Sequence, residues 1–466
     1  MFMIPLDNTS TVPLYEQIYQ YVKNEIRMGK LTVGTKLPSS RSLSSNLLIS
    51  RTTVELAYSQ LTSEGYIRSI PKSGYYVLRI GDLVELSEKA TVSYEKKVDV
   101  LESISYDFSP YSVDITQLPS ATLRRLYNQC MNDMNQQLFL LGDSQGDFPL
   151  REAIGRYLHS SRGVNVEPSQ IIVGAGTDYL LQLLAQILKP QRKIAMENPT
   201  YLRAYRIFSG LDFEVSRITV NKDGMDLESL SKDSANLCYI TPTNQYPLGV
   251  IMPINRRMQL LSWALEQEDR YIIEDDHDSE FRYKGKPIPS LQGLDRHGRV
   301  IYIGTFSRAI APGIRMGYMV LPKQLASLYQ QTLSYYACTL SRIDQAMMCE
   351  FINGGFFERH VNKMRTRYKA KHDALLRALK VFGNLITVTG ECAGLHVVIK
   401  FHIPWTEEEL IQVASKAGIR LYGLNRHFIS GERTKDPTIL LGFANLTEEK
   451  IEKGVHKLFE LIKNSI

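Results

Sequence analysis

From about residue 105 onward the chain alternates short apolar runs with amphipathic helical stretches. That alternation restricts the folds open to it more than any other feature. The runs are Gln170–Val173, Lys193–Met196, Phe213–Thr219, Leu237–Thr241, Arg270–Glu274 and Val300–Ile303. Short, almost wholly apolar runs read as strands buried on both faces, and strands separated by helices join into a mostly parallel sheet with helices on both sides. In such a sheet ligands sit beyond the carboxyl ends of the strands. The informative residues are therefore those that follow each run.

The last run opens residues 301–321, IYIGTFSRAIAPGIRMGYMVL. Thr305 and Ser307 can donate hydrogen bonds to anion oxygens, and Arg315 can clamp them in bidentate fashion. The same letters also read as a β–turn–β corner with a surface arginine. Val173-Gly174-Ala175-Gly176-Thr177 leads into a helix at Leu180–Leu188, which is either a phosphate cradle or a plain tight turn. Its glycine spacing is not that of a dinucleotide fingerprint. Tyr201, after Glu197-Asn198-Pro199-Thr200, is placed to stack on a flat heteroaromatic or simply to pack. Residues 274–280 hold five acids, Glu274, Asp275, Asp276, Asp278 and Glu280, and a divalent metal competes as their partner. The run leaves a buried strand and no second acidic cluster completes a cage, so no metal is expected.

The first eighty residues have another pattern. Leu14, Ile18, Val22 and Ile26 form one face of a helix. Pro38-Ser39-Ser40 starts a second, with Leu43, Leu47 and Leu48 expected inside. Ser50 caps a third that turns Val54, Ala57 and Leu61 inward. Runs Tyr66–Ile70 and Tyr75–Leu78, joined by Pro71-Lys72-Ser73-Gly74, make a hairpin. Three helices and a hairpin form a winged helix-turn-helix. Its third helix offers Arg51, Thr52 and Thr53, with Arg41 on the helix before and Lys72 at the wing tip. Residues 1–80 hold nine Lys or Arg against five Asp or Glu, most of the chain's surplus of +6. Phosphate binding needs that concentration of charge. A small helical module that binds protein is the competing reading.

A chain of 466 residues needs two or three domains. Hydrophobic content of 44% and charged content of 22% are those of an ordinary globular protein. Cys130, Cys238, Cys338, Cys349 and Cys392 lack metal-type spacing and read as reduced thiols. The start, MFMIPLDNTS, has no basic region before a long apolar run, and no stretch reaches membrane-spanning length. A cytoplasmic location and no membrane partner are expected.

Residues 301–321 resemble the cofactor-lysine segment of fold-type I aminotransferases, most nearly that of the MocR subfamily of GntR-type regulators. The pattern there is close to TFSK-x-x-x-P-G-x-R-x-G-Y. Arg308 stands where the family has the lysine that holds pyridoxal phosphate as an aldimine. A guanidinium stays protonated and is no practical Schiff-base former. Arg308 follows Asp275 by 33 residues and precedes Arg315 by 7, intervals that agree with the family. LTVGTKLPSSRSLSSNLLISRTTVELAYSQLTSEGYIRSIPKSGYYV likewise resembles the GntR-type DNA-binding domain.

The resemblance implies an N-terminal winged helix-turn-helix over 1–79, a linker over 80–104, and a fold-type I PLP-dependent transferase-like domain over 105–466, divided near 350 into a large part and a smaller C-terminal α/β part. Arg41, Arg51, Thr52, Thr53, Ser73 and Gly74 would touch a double-stranded operator. Glu55 departs from relatives that carry a basic residue there. Ala175, Gly176 and Thr177 would bind the cofactor phosphate with Thr305, Ser307 and Arg315, and Arg308 would line the cofactor site at the lysine's position. Tyr201 would stack on the ring, and Asp275 would pair with the pyridinium nitrogen. His277 replaces a tyrosine on the ring hydroxyl, and an ordinary histidine changes charge near neutrality. Asn244 and Leu248 stand where histidine and threonine are common. Leu440 lies where true aminotransferases carry an arginine for the substrate carboxylate.

The expected function is a transcription regulator whose aminotransferase-like domain binds pyridoxal phosphate non-covalently, or a related vitamer, amine or amino acid. A head-to-tail homodimer is implied. Two rivals are a working aminotransferase with a DNA-binding head and a cofactor-free DNA-binding dimer whose large domain only scaffolds.

Overall fold

The computed structural model describes residues 4–79, 104–132, 136–189, 192–285, 288–429 and 431–464. The chain divides into two compact units, Met1–Asp99 and Val100–Ile466. Residues 80–103 of the expected linker lie outside the described residues.

In the first unit, helices Leu14–Arg27, Ser40–Leu47 and Arg51–Ser63 precede a hairpin of Ile67–Ile70 and Gly74–Val77. Ile18, Val22, Ile26, Leu43, Val54, Ala57, Tyr58 and Leu61 make one core. The third helix starts where the sequence places it, with the Ser50 side chain accepting from Thr53 N–H at 3.1 Å. Leu48 is a correction. The second helix ends at Leu47, and Leu48 takes a left-handed conformation (φ 56) that turns its side chain out, 93% exposed. Periodicity had continued one residue past the helix that carries it.

In the second unit an eight-stranded sheet runs in the order Ile171–Gly174, Gly317–Val320, Val300–Thr305, Tyr271–Asp275, Leu237–Ile240, Lys193–Asn198, Glu214–Asn221, Gly224–Met225. The six runs read from sequence are all here and all point the same way. Gly317–Val320 is antiparallel to both its neighbours, and the two-residue edge strand Gly224–Met225 is antiparallel to Glu214–Asn221. Residues 301–321 are thus a β–turn–β corner, and this does not remove Arg315 from the turn's outer edge.

A second, four-stranded antiparallel sheet, Ile386–Thr389, His396–Phe401, Thr438–Gly442 and Tyr422–Gly423, forms the C-terminal part. Helices Phe356–Leu379 and Glu448–Lys463 pack on it through Leu375, Leu379, Ile451 and Leu458. No helix among the described residues is long and apolar enough to cross a membrane.

A buried ion pair joins these layers. Lys371 Nζ, on the long helix, meets Asp114 Oδ2 at 2.8 Å and the Ala444 carbonyl at 2.6 Å, while Tyr368 Oη accepts from Asp114 N–H. Both side chains are under 10% exposed. Asp114→Ala strands the ammonium without its counter-ion, and removing one partner of a buried pair costs about 3–5 kcal/mol. Urea unfolding of the variant should show a lowered midpoint of that size.

Candidate functional site

The strand ends converge on one cavity of about 860 Å3. Thr177, Tyr201, Asp275, His277, Thr305, Ser307, Arg308 and Arg315 all line it. Ala175 and Gly176 sit behind it. Ala175 N–H is taken by Thr339 Oγ1 at 2.9 Å and Gly176 N–H by the Gly174 carbonyl at 2.7 Å. Gly176 is needed for another reason. Its φ is +84°, and a Cβ there would lie 2.8 Å from Arg315 Nη2. The glycine lets the arginine lie flat against the turn at the start of helix Thr177–Leu188.

Arg308 is held, not free. Its Nε and Nη2 donate to Asp278 Oδ1 and Oδ2, both at 2.8 Å, and Nη1 donates to the Pro110 carbonyl at 3.2 Å. Leu395 N–H also donates to Asp278 Oδ2, at 3.3 Å. Burial alone would raise the Asp278 carboxyl, but the Arg308 guanidinium, then His277, outweighs it and holds the acid well below the usual carboxylate range. Arg308 itself is raised by the same partner against its own desolvation.

Asp275 ends its strand facing the cavity. Burial pushes its carboxyl up to about 6, with Asp276 and Asp178 adding to the rise and the hydrogen bond from Tyr239 Oη opposing it. His277 corrects the expectation of a charge that varies near neutrality. Burial pushes it down to about 4, so the ring is neutral at pH 7. Its Nδ1 and the Ser307 Oγ are buried without a hydrogen-bond partner. Buried polar atoms left without partners are uncommon, and here three, with Tyr246 Oη, belong to residues that line one cavity.

Four of the acids of 274–280, Glu274, Asp275, Asp276 and Asp278, have protein partners. Glu274 accepts from Leu291 and Gln292 N–H, both at 2.8 Å. Asp276 pairs with Arg162 at 2.9 Å. No group of three His, Cys, Asp or Glu able to hold a metal occurs among the described residues.

Several lining residues escaped the sequence reading. Arg203 and Arg206 follow Tyr201 on helix Leu202–Gly210, and Asp178 bridges Arg203 at 3.4 Å and Arg315 at 3.3 Å. Their spacing from Tyr201 was a usable signal. Tyr111 comes from a distant loop, Tyr422 from the short strand Tyr422–Gly423, and Arg426 and His427 from the turn Asn425–His427 after it, with no periodicity to mark them. Tyr246 is the member of segment 241–249 that lines the cavity, with its ring 4.8 Å from that of His277. Leu440 is fully buried against Val398 and Leu424.

Residues 109–458 match the aminotransferase class I and II family, and residues 14–77 match the bacterial regulatory proteins of the gntR family. The chain belongs to the GntR-type transcription regulators that carry an aminotransferase-like domain. It is 40% identical to the HTH-type transcriptional regulator YhdI of Bacillus subtilis, covering 97% of this chain and 96% of that one. It is 31% identical to the probable rhizopine catabolism regulatory protein MocR of Rhizobium meliloti, over 98% and 95% of the two chains. It is 30% identical to the pyridoxine biosynthesis regulator PdxR of Corynebacterium glutamicum, over 93% of each. Among solved structures, a multiple substrate aminotransferase from Thermococcus profundus superposes with a TM-score of 0.70 at 27% identity, covering 81% of this chain and 97% of that one. The first unit is therefore a DNA-binding head of the GntR type.

Arg308→Met removes the counter-charge from a carboxylate with a wholly buried side chain. The loss should be about 3–5 kcal/mol at neutral pH. In the native protein the depressed Asp278 contributes fully above about pH 4, the unfolded aspartate range, and loses that contribution only as pH falls toward its lower folded value. The variant should instead recover relative stability on acidification, because an unpaired buried Asp278 takes up a proton. Denaturant midpoints across pH measure both effects.

Proposed function

We propose that the aminotransferase-like domain reads a pyridoxal-type vitamer held without a covalent bond, and that its occupancy changes how the DNA-binding heads engage their operator. What supports this reading is a cavity whose lining suits a phosphate at one end and a ring at the other, with Arg308, in the sequence position of the expected Schiff-base lysine, ion-paired to Asp278. Thr177, Arg315 and the hydroxyls of Thr305 and Ser307 suit a phosphate. Tyr201 suits a ring face, Asp275 a protonated ring nitrogen, and the unpartnered His277 Nδ1 a ring hydroxyl. Pyridoxal phosphate, when bound, supplies an electrophilic aldehyde and an electron-accepting ring. Nothing in the arginine's position uses them. Arg308 stays charged, so it neither attacks an aldehyde nor moves a proton, which disfavours transamination.

Arg41, Arg51, Thr52, Thr53, Lys72, Ser73 and Gly74 are our assigned DNA contacts. Arg41, Arg51, Thr52 and Lys72 are exposed, and Lys72 sits at the wing tip with a φ of +62°. Arg51 Nε is 2.7 Å from Glu55 Oε1, one helical turn on. The carboxylate aims the guanidinium instead of facing DNA alone. A head-to-tail homodimer in the cytoplasm, presenting two heads to two half-sites, completes the proposal.

Three measurements test it. Pyridoxal phosphate should bind the full chain and leave on dialysis, and borohydride should fix no label; Arg308→Lys should gain an absorbance band that borohydride converts to a lysine adduct. A native adduct, or no vitamer binding at all, contradicts the reading. Affinity should rise with pH through about 6 as Asp275 ionises beside Tyr239, Asp276 and Asp178, and Asp275→Asn should flatten that rise. Arg51→Ala should weaken binding to random-sequence duplex DNA and reduce the salt slope by about one.

A further inference from the structure

The surplus of positive charge is not confined to the first unit. Helix Phe356–Leu379 carries seven Lys or Arg against two Asp or Glu. Helix Glu448–Lys463, which packs against it, balances four Lys with four Glu. Exposed helices commonly mix both signs in that way, because like charges four residues apart oppose the helix that carries them. The long helix departs from that rule along one face.

Its buried face is formed by Phe357, Val361, Met364, Tyr368 and Leu375. On the opposite side Arg359, Lys363 and Arg367 recur every fourth residue, all exposed, with exposed Asn362 and Thr366 between them. The helical rise sets these three charges about 6 Å apart along the axis. Arg359 Nη2 donates to the Gly354 carbonyl at 2.8 Å, and its guanidinium lies 4.6 Å from the Phe356 ring centroid. Arg125 lies 5.1 Å from the same ring. It comes from helix Ser120–Asn132, which has two arginines and no acid. One aromatic ring thus joins the two helices into a single cationic band. Arg125, Arg359, Lys363 and Arg367 have no carboxylate within ion-pairing distance among the described residues. The long helix's own acids do not neutralise them. Glu358 lies about 100° round the axis from Arg359, and Asp373, beyond the end of the band, is 3.3 Å from His372 Nδ1.

The chemistry of the band selects its partner. The exposed side chains from Arg359 to Arg367 are all polar or charged. A stable protein partner needs apolar or aromatic anchors at the centre of its contact. Duplex DNA needs only charge, for it presents one phosphate per about 1.7 Å of its axis and is held through its backbone. The first unit is a DNA-binding head, and the two units are one chain. DNA held by one is therefore offered to the other at high local concentration.

We propose that Arg359, Lys363 and Arg367, with Arg125 at their head, bind the phosphate backbone of duplex DNA flanking the segment that the DNA-binding heads hold. The aminotransferase-like domain thereby adds a second, sequence-independent contact. The inference rests on the DNA-binding reading of the first unit and makes no use of the cavity.

The test titrates the full chain into random-sequence duplex DNA of about 80 base pairs, several times the roughly 10 base pairs between adjacent half-sites. Fluorescence anisotropy is followed across salt concentration. Each phosphate contact contributes about 0.9 to the slope of log affinity against log salt, so Arg359→Gln, Lys363→Gln and Arg367→Gln together should lower that slope by about two to three. A control with Lys450→Gln, Lys453→Gln and Lys457→Gln removes equal charge from the neighbouring helix and should lower it by less than about one. All six side chains are exposed, so both variants should keep the native melting temperature, which is checked alongside. An unchanged slope in the first variant, while Arg51→Ala still lowers it, overturns the band and leaves the heads standing. A control that lowers the slope as much as the first variant also overturns the band, because net charge then accounts for the loss. If the native chain does not bind the duplex, the DNA-binding reading fails and this inference with it.

Discussion

The buried pair of Arg308 and Asp278 is the interaction on which the site depends. It joins four parts of the chain that are separated in sequence. Arg308 leaves the strand Val300–Thr305, Asp278 follows the strand Tyr271–Asp275, and their remaining hydrogen bonds reach Pro110 and Leu395. A carboxylate with no exposed surface is costly unless a charge answers it, and the bidentate fork answers it fully. The pair occupies the floor of the cavity. The charge that would otherwise be supplied by a lysine is present, but its nucleophilicity is not.

Around that floor the sheet imposes an arrangement of charge. Parallel strands bring their carboxyl ends to one edge, and Asp275, Asp276 and Thr305 arrive there together. Several acids in a desolvated space would repel one another. The fold meets this by giving most of them a guanidinium: Asp276 has Arg162, Asp278 has Arg308, and Asp178 has Arg203 and Arg315. Glu280, raised by burial, has no such partner among the described residues, and neither does Asp275 at the end of its strand. Asp275 has a phenol instead of a cation, and its carboxyl is raised by burial. An acid left without a cation in an otherwise compensated cavity is where a cationic ring nitrogen gains most.

Much of this was legible in the letters because it is local. Each strand of the parallel set is an apolar run bounded by polar residues, and Ser50 announces its helix by the hydroxyl that caps it. The cavity residues at strand ends followed from the rule about carboxyl edges. What the letters hid depends on folding. Leu48 continues an apolar period but lies one residue beyond the helix that would have buried it. His277 has an ordinary letter and an extraordinary burial. Gly317–Val320 looks like any strand of the set, and only the length of the corner before it makes it run backwards. Arg426 reaches the cavity because Glu407 and Thr200 fix its turn, and neither partner is near it in sequence.

On the vitamer reading proposed above, an ion pair in place of a covalent tether would have a consequence for what the domain can report. A lysine-linked group stays bound while its concentration varies, so its presence carries little information. A ligand held by hydrogen bonds and charge occupies the cavity in proportion to its concentration, and it shifts an equilibrium only through its different affinity for two states. The contacts available to it come from both parts of the second unit. Thr177, Asp275 and Arg315 belong to the large sheet and its helices, whereas Arg426 and Tyr422 belong to the C-terminal part. A molecule that bridges them favours whichever arrangement of those parts brings both ends within reach. On that reading, a fold that positions a substrate for chemistry would instead measure whether a ligand is there, with Arg308 holding Asp278 where a lysine would perform the chemistry.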